Sequence, residues 1–224
     1  MTDSLILLLS LMFVLAAPGL AVAQEHTART ALDTSAVDQA TLKKLLADGQ
    51  LLKVLEGPNG RMKLITGGIV IDKPVEDVYR VVTDFSHFSE FMPSVEECKV
   101  VADKGEVKDV SFKVKFKFVV SFSVDYVLRN RLSPPHEMTW TLVSSKGNKI
   151  KESFGSWKLI PLDGGKRTAA FYSIYSDLSD VIWGLERMLK KDPSMEIAIN
   201  TSTVIMVLKN VKNRSETPGW VRKN

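Results

Sequence analysis

Apolar and polar residues alternate with period two through most of the second half of this chain. Phe112, Val114 and Phe116 are separated by Lys113, Lys115 and Lys117, the pattern of an antiparallel strand with one buried and one solvated face. The alternation predicts strands at 95–102, 106–120, 121–132, 137–146, 150–160 and 167–177. Turn sequences separate most of them: Asp103-Lys104-Gly105, Ser133-Pro134-Pro135, Gly147-Asn148 and Asp163-Gly164-Gly165. An earlier strand runs from Arg61 to Ile71, and 50–56 is a further candidate.

Elsewhere the period lengthens to that of a helix. Val37 to Ala47 reads as a short helix stopped by Gly49. Pro74 opens another, with Glu76 and Asp77 in its first turn and Val75, Val78, Tyr79 and Val82 at helical spacing. Asp84 to Phe91 predicts a second short helix capped by Asp84, with His87 on its surface. Leu178 to Lys191 carries a stripe of Leu178, Val181, Ile182, Leu185, Met188 and Leu189. Asp192 and Pro193 then start a last helix that runs to about Val211, with Ile197, Thr201, Val204, Leu208 and Val211 on one face. A sheet of about seven strands joined by consecutive hairpins must curl over its apolar face, and the long helix fits inside the curl. The expected fold is therefore α+β, a helix-grip arrangement of a curved antiparallel sheet around a C-terminal helix.

The first residues change the picture of where the protein works. Leu5 to Ala17 is almost unbroken apolar sequence, too short to span a bilayer comfortably, and Pro18-Gly19 ends it. Ala21-Val22-Ala23 supplies a small-x-small cleavage pattern, so 1–23 reads as a signal peptide and the mature protein as periplasmic or secreted. The n-region lacks Lys and Arg, and the alternative is an uncleaved membrane anchor, since Leu5 to Val22 is long enough if Pro18 is tolerated. Residues 24–59 then form an extension with its short helix, 60–214 a single domain and 215–224 a basic tail. The formal net charge of +4 suits an anionic surface but is too small to argue for nucleic acid. One cysteine, Cys98, excludes a disulfide scaffold and reads as a buried, inert thiol.

Ile69 to Val101 resembles the opening of START-like (SRPBCC) domains, closest to the polyketide-cyclase and coenzyme-Q-binding branch. The residues that carry the resemblance are Pro74, Tyr79, Asp84, Phe88, Phe91 and Pro93. Phe154 to Tyr172 resembles the late hairpin of that family, with Trp157 and Pro161 in place. The resemblance implies a cavity between sheet and helix that takes lipids, quinones, sterols or polyketides. It implies no universal catalytic residue.

Motif chemistry is absent from the sequence. There is no nucleotide loop, HExxH, CxxC or Gly-x-Ser-x-Gly, and His26, His87 and His136 fall in unrelated segments, so no metal site and no cofactor is expected. Apolar lining remains. Parity assigns Phe112, Val114, Phe116, Tyr126, Met138 and Trp140 to the cavity, Trp157 follows, the register implied by the family resemblance adds Tyr172, and Tyr79, Phe91, Val204 and Leu208 are assigned to it from the helices. Trp183 beside Arg187, Lys190 and Lys191 has the composition of a membrane-contact element, or of a helix packed on the sheet rim. The leading expectation is a binding or transfer protein for a hydrophobic small molecule. The alternatives are a cyclase/aromatase-like enzyme, which needs an acid/base pair in the lumen from Asp84, His87, Asp125 or Glu137, and a protein-interaction module with a collapsed cavity.

Overall fold

The computed structural model describes residues 42–43, 46–47, 50–57, 62–117, 121–181, 185–192 and 194–219. The expected signal segment, the leader, most of the 37–47 helix, Trp183 and the end of the tail lie outside the described residues, as does the side chain of Phe116. Eight strands form one antiparallel sheet: β1 (Leu51–Glu56), β2 (Met62–Ile71), β3 (Val95–Lys104), β4 (Val107–Lys117), β5 (Ser121–Ser133), β6 (Glu137–Ser145), β7 (Ser153–Leu162) and β8 (Arg167–Ser176). Their order is β1-β2-β8-β7-β6-β5-β4-β3. The sheet exceeds the expected seven strands because Leu51–Glu56 does pair with β2, adding an edge. β3 to β8 are consecutive hairpin partners, and β2 returns to lie beside β8.

The helices lie in the one long crossing of this sheet and after its last strand. Between β2 and β3 come α1 (Val75–Val82), a 3₁₀ turn (Phe85–His87) and α2 (Phe88–Phe91). After β8 come α3 (Leu185–Lys191) and α4 (Ser194–Glu216). α1 starts at Pro74 with its two carboxylates in the first turn, and it buries Val75, Val78, Tyr79, Val81 and Val82.

α4 and β2 match in length, since 23 helical residues and 10 extended ones both span about 34 Å. A glutamate fastens each end. The Met62 N–H donates to Glu196 Oε2 (3.3 Å), and the Asp72 N–H donates to Glu216 Oε1 (2.7 Å). Lys212 Nζ donates to the Val70 carbonyl (2.9 Å) and Gln50 Nε2 to the Ile205 carbonyl (3.2 Å). Close approach is possible because β2 carries Gly67 there. A Cβ at that position would stand 2.5 Å from Val204 Cγ1 and 2.6 Å from Leu208 Cδ1.

Three expectations need correction. The 178–191 stripe is not one helix: Asp177 Oδ1 accepts from both the Ser179 N–H and its hydroxyl, a local turn that competes with helix, and described helix begins only at Leu185. Leu189 is buried there, but Met188 is 51% exposed and off the stripe. α4 continues past Val211 to Glu216, because no breaker occurs before Pro218 and Lys212 pairs with Glu216 one turn on (2.5 Å). Asp84 does not cap the second short helix; its carboxylate accepts instead from the Ser86 hydroxyl and His87 Nδ1–H. Among the described residues, no helix is long and apolar enough to cross a membrane.

Candidate functional site

One helix cannot cover eight strands. α4 packs against β2 and β8 and against the shorter helices, and the sheet curls away beyond them. Between the curled strands and the other face of α4 lies a cavity of about 550 Å³. Its floor is Phe112 and Val114 of β4, Tyr126, Leu128 and Asn130 of β5, Met138 and Trp140 of β6, Ser153 and Trp157 of β7, and Tyr172, Ile174 and Ser176 of β8. Its roof is the α4 face of Ala198, Ile199, Asn200, Ser202, Thr203, Met206 and Val207. Phe85, Phe88 and the Met92–Val95 loop line one part of the rim, with Ile150 and Leu178 elsewhere. Ala198, Ser202, Met206 and Ser94 are both lining and solvent-exposed, so the cavity opens between α4 and the α2–β3 loop.

Aromatic pairs hold the wall flat rather than plugging the space. Phe112 stacks on Tyr126 (5.4 Å between centroids, 16° between planes). Tyr172 stacks on Trp140 (5.5 Å) and tilts against Trp157 (4.7 Å). Trp140 can lie down because Gly155 is its cross-strand partner; a Cβ on Gly155 would collide with Trp140 Cζ2 and with the Ser173 carbonyl oxygen. Burial pushes the Tyr126 and Tyr172 phenols up from the ordinary tyrosine range, and proximity to Tyr126 raises Tyr172 further. Among the described lining residues there is no Asp, Glu, Lys, Arg or His.

Of the residues assigned to the cavity from sequence, Phe112, Val114, Tyr126, Met138, Trp140, Trp157 and Tyr172 stand on its wall. Tyr79, Phe91, Val204 and Leu208 do not. Val204 and Leu208 are fully buried on the opposite face of α4, against Gly67. Tyr79 is buried in the core with a hydroxyl that has no hydrogen-bond partner among the described residues, and burial, with Glu106 nearby, pushes its pKa up to about 12. Phe91 lies under the Arg214 guanidinium, 5.2 Å from ring to cation. Arg187, Lys190 and Lys191 are exposed on α3, with Lys190 paired to Glu186 at 2.7 Å.

The titratable candidates lie off the wall. His87 Nδ1–H donates to both Asp84 oxygens (2.8 and 2.9 Å), and Asp125 faces outward with Lys146 at 3.6 Å. Neither pair, nor Glu137, lines the lumen. Cys98 sits buried beside Phe112, and burial pushes its thiol up to about 12, which removes thiolate chemistry at neutral pH. Sequence reasoning missed Leu128 and Asn130, although they continue the even-numbered register of Tyr126. It also missed the lumen face of α4, where Asn200, Ser202 and Thr203 are mixed with Ile199, Met206 and Val207. Among the described residues, no group of three His, Cys, Asp or Glu side chains could hold a metal.

Comparison with known proteins agrees with this architecture. A START superfamily protein from Mycobacterium smegmatis superposes with a TM-score of 0.54 at 13% identity, covering 68% of this chain and 97% of its own. The STAR-related lipid transfer protein of Xanthomonas axonopodis gives 0.54 at 14% identity, covering 75% and 93%. The Zhui aromatase/cyclase of a Streptomyces species gives 0.53 at 14% identity, covering 70% and 98%. At these identities the likeness is one of fold. No curated protein sequence matches the chain. The sequence model of the family described as "Polyketide cyclase / dehydrase and lipid transport" matches residues 71–221, from the end of β2 through α4. The chain therefore belongs to that START-like (SRPBCC) family.

Proposed function

We propose that this protein is a non-catalytic carrier that holds one hydrophobic small molecule of the lipid, quinone or sterol class in the lumen between sheet and α4. The observation that carries the reading is a lumen lined mainly by aromatic and aliphatic side chains, with no charged residue among the described lining residues. Such a wall binds by removing apolar surface from water, at about 25 cal/mol per Å². The lipid-transfer neighbour supports the same reading by fold. A cyclase would need an acid/base pair at the substrate, whereas the ionisable groups on this wall are two phenols whose protons burial holds more tightly. A cavity of about 550 Å³ also argues against a collapsed interaction module.

The carrier works outside the cytoplasm, released from its first 23 residues, and meets membranes through the cationic end of α3 and Trp183. Solvent extraction of the purified protein followed by mass spectrometry tests the reading, and a copurifying apolar molecule is expected. An empty extract together with no binding to a panel of lipids, quinones and sterols overturns it. Cosedimentation with anionic vesicles tests the membrane step. Arg187→Glu, Lys190→Glu and Lys191→Glu combined should abolish it without changing cargo affinity.

A further inference from the structure

The carrier reading names a broad class of cargo, and three polar groups on the wall narrow it. Tyr126 and Tyr172 both face the lumen, and no hydrogen bond from the described residues engages either hydroxyl. Their rings are nevertheless held in place, Tyr126 by its stack on Phe112 and Tyr172 by Trp140 and Trp157. Asn130, 2% exposed, is the third group, directly across from Trp140 in the sheet. Its amide nitrogen already donates to the Leu128 carbonyl (3.2 Å) and reaches the Lys108 carbonyl (3.5 Å).

The lumen opens to solvent, so water can accept from these hydroxyls until an apolar cargo displaces it, and a donor then left unpaired costs free energy. Two oriented phenols without a protein acceptor therefore ask for an acceptor on the cargo. A carboxylate or phosphate would accept as well, but it would bring a full charge into a wall that holds no cation to meet it. Both phenols resist ionisation, so they remain donors across the neutral pH range.

Resting on the carrier reading, we propose that the cargo is an uncharged, largely apolar molecule of about 20 non-hydrogen atoms with a carbonyl or hydroxyl oxygen that accepts hydrogen bonds from Tyr126 and Tyr172. The size follows from filling about 550 Å³ at the packing density of a protein interior. Neither phenol need move, because stacking has already fixed both rings.

The test uses the full chain loaded with Nile red, an uncharged apolar dye, and follows its displacement. Two competitors with equal numbers of non-hydrogen atoms are compared, palmitate and the methyl ketone one carbon longer. The ketone should displace the dye at a concentration about tenfold or more below that of palmitate. The Tyr126→Phe, Tyr172→Phe double variant should lose about tenfold in ketone affinity and nothing for the straight-chain alkane. Each single variant, melting like the parent, should lose part of it. Palmitate binding as tightly as the ketone, or ketone affinity unchanged in the double variant, overturns the inference and leaves the carrier reading intact. Failure of the dye and of every competitor to bind overturns both.

Discussion

The two halves of the sheet are built from opposite materials. Where α4 lies, β2 and β8 present Gly67 and Ala170, and the helix returns Val204, Leu208 and Val211, all fully buried. Beyond it, β4 to β7 present Phe112, Tyr126, Trp140 and Trp157, joined by Tyr172 from the far part of β8, and there the molecule is hollow. Bulk alone therefore does not fill a core. Glycine draws the helix down onto one side of the sheet, and eight strands are about 34 Å across, some three helix widths. The aromatics on the uncovered side stack along the wall instead of across the gap. The packed half sets where the helix goes, and the hollow half is what remains uncovered.

Truncation should separate the halves most sharply. Leu208→Ala removes a fully buried side chain from the packed half, and urea denaturation should record a loss of about 4 kcal/mol. Met138→Ala, on the lumen wall, should cost about half as much, because one side of that residue already lacks neighbours. Equal losses would mean that both halves are packed alike and that the cavity closes in solution. The next effect belongs to Gly155. Gly155→Ala should cost about 2–3 kcal/mol, because one of the three atoms it meets is backbone and cannot swing aside. It should also push Trp140 into the lumen, shifting tryptophan fluorescence and weakening dye binding. Unchanged dye affinity would show that Trp140 does not set the shape of the space. In the opposite sense, Val114→Phe fills part of the lumen and should raise stability by about 1 kcal/mol while lowering dye affinity.

These experiments bear on how far the sequence could be read. The alternation of Phe112 and Val114 with lysines announced both the strand and its inner face, since period two leaves only one choice of side. The helix was harder. Ile197, Thr201, Val204, Leu208 and Val211 were legible as a stripe, but a stripe tells only that a face is buried. Gly67 in β2 was the available signal that this face meets backbone closely, leaving the face of Ser202, Thr203 and Met206 to the lumen. Rim residues such as Ile150 and Leu178 reach the site through turns whose course depends on tertiary packing, and no local pattern encodes that.

The smallest expected effect concerns what holds the hollow half from outside. On its outer face Arg129 donates to both Asp109 oxygens at 2.8 Å, bridging β4 and β5. That hydrogen-bonded pairing with Arg129 holds the Asp109 carboxyl below the usual aspartate range. A folded-state pKa below the unfolded value stabilises above the unfolded pKa, near 4, and the benefit disappears as pH falls through the folded value. Asp109→Asn should therefore lower Tm slightly at pH 7 and leave it unchanged at about pH 2, and added salt should shrink the difference at pH 7 because Arg129 is 42% exposed. A large loss at neutral pH would mean that charge on the outer face, rather than the ladder and the aromatic wall, keeps the uncovered strands from closing on the lumen.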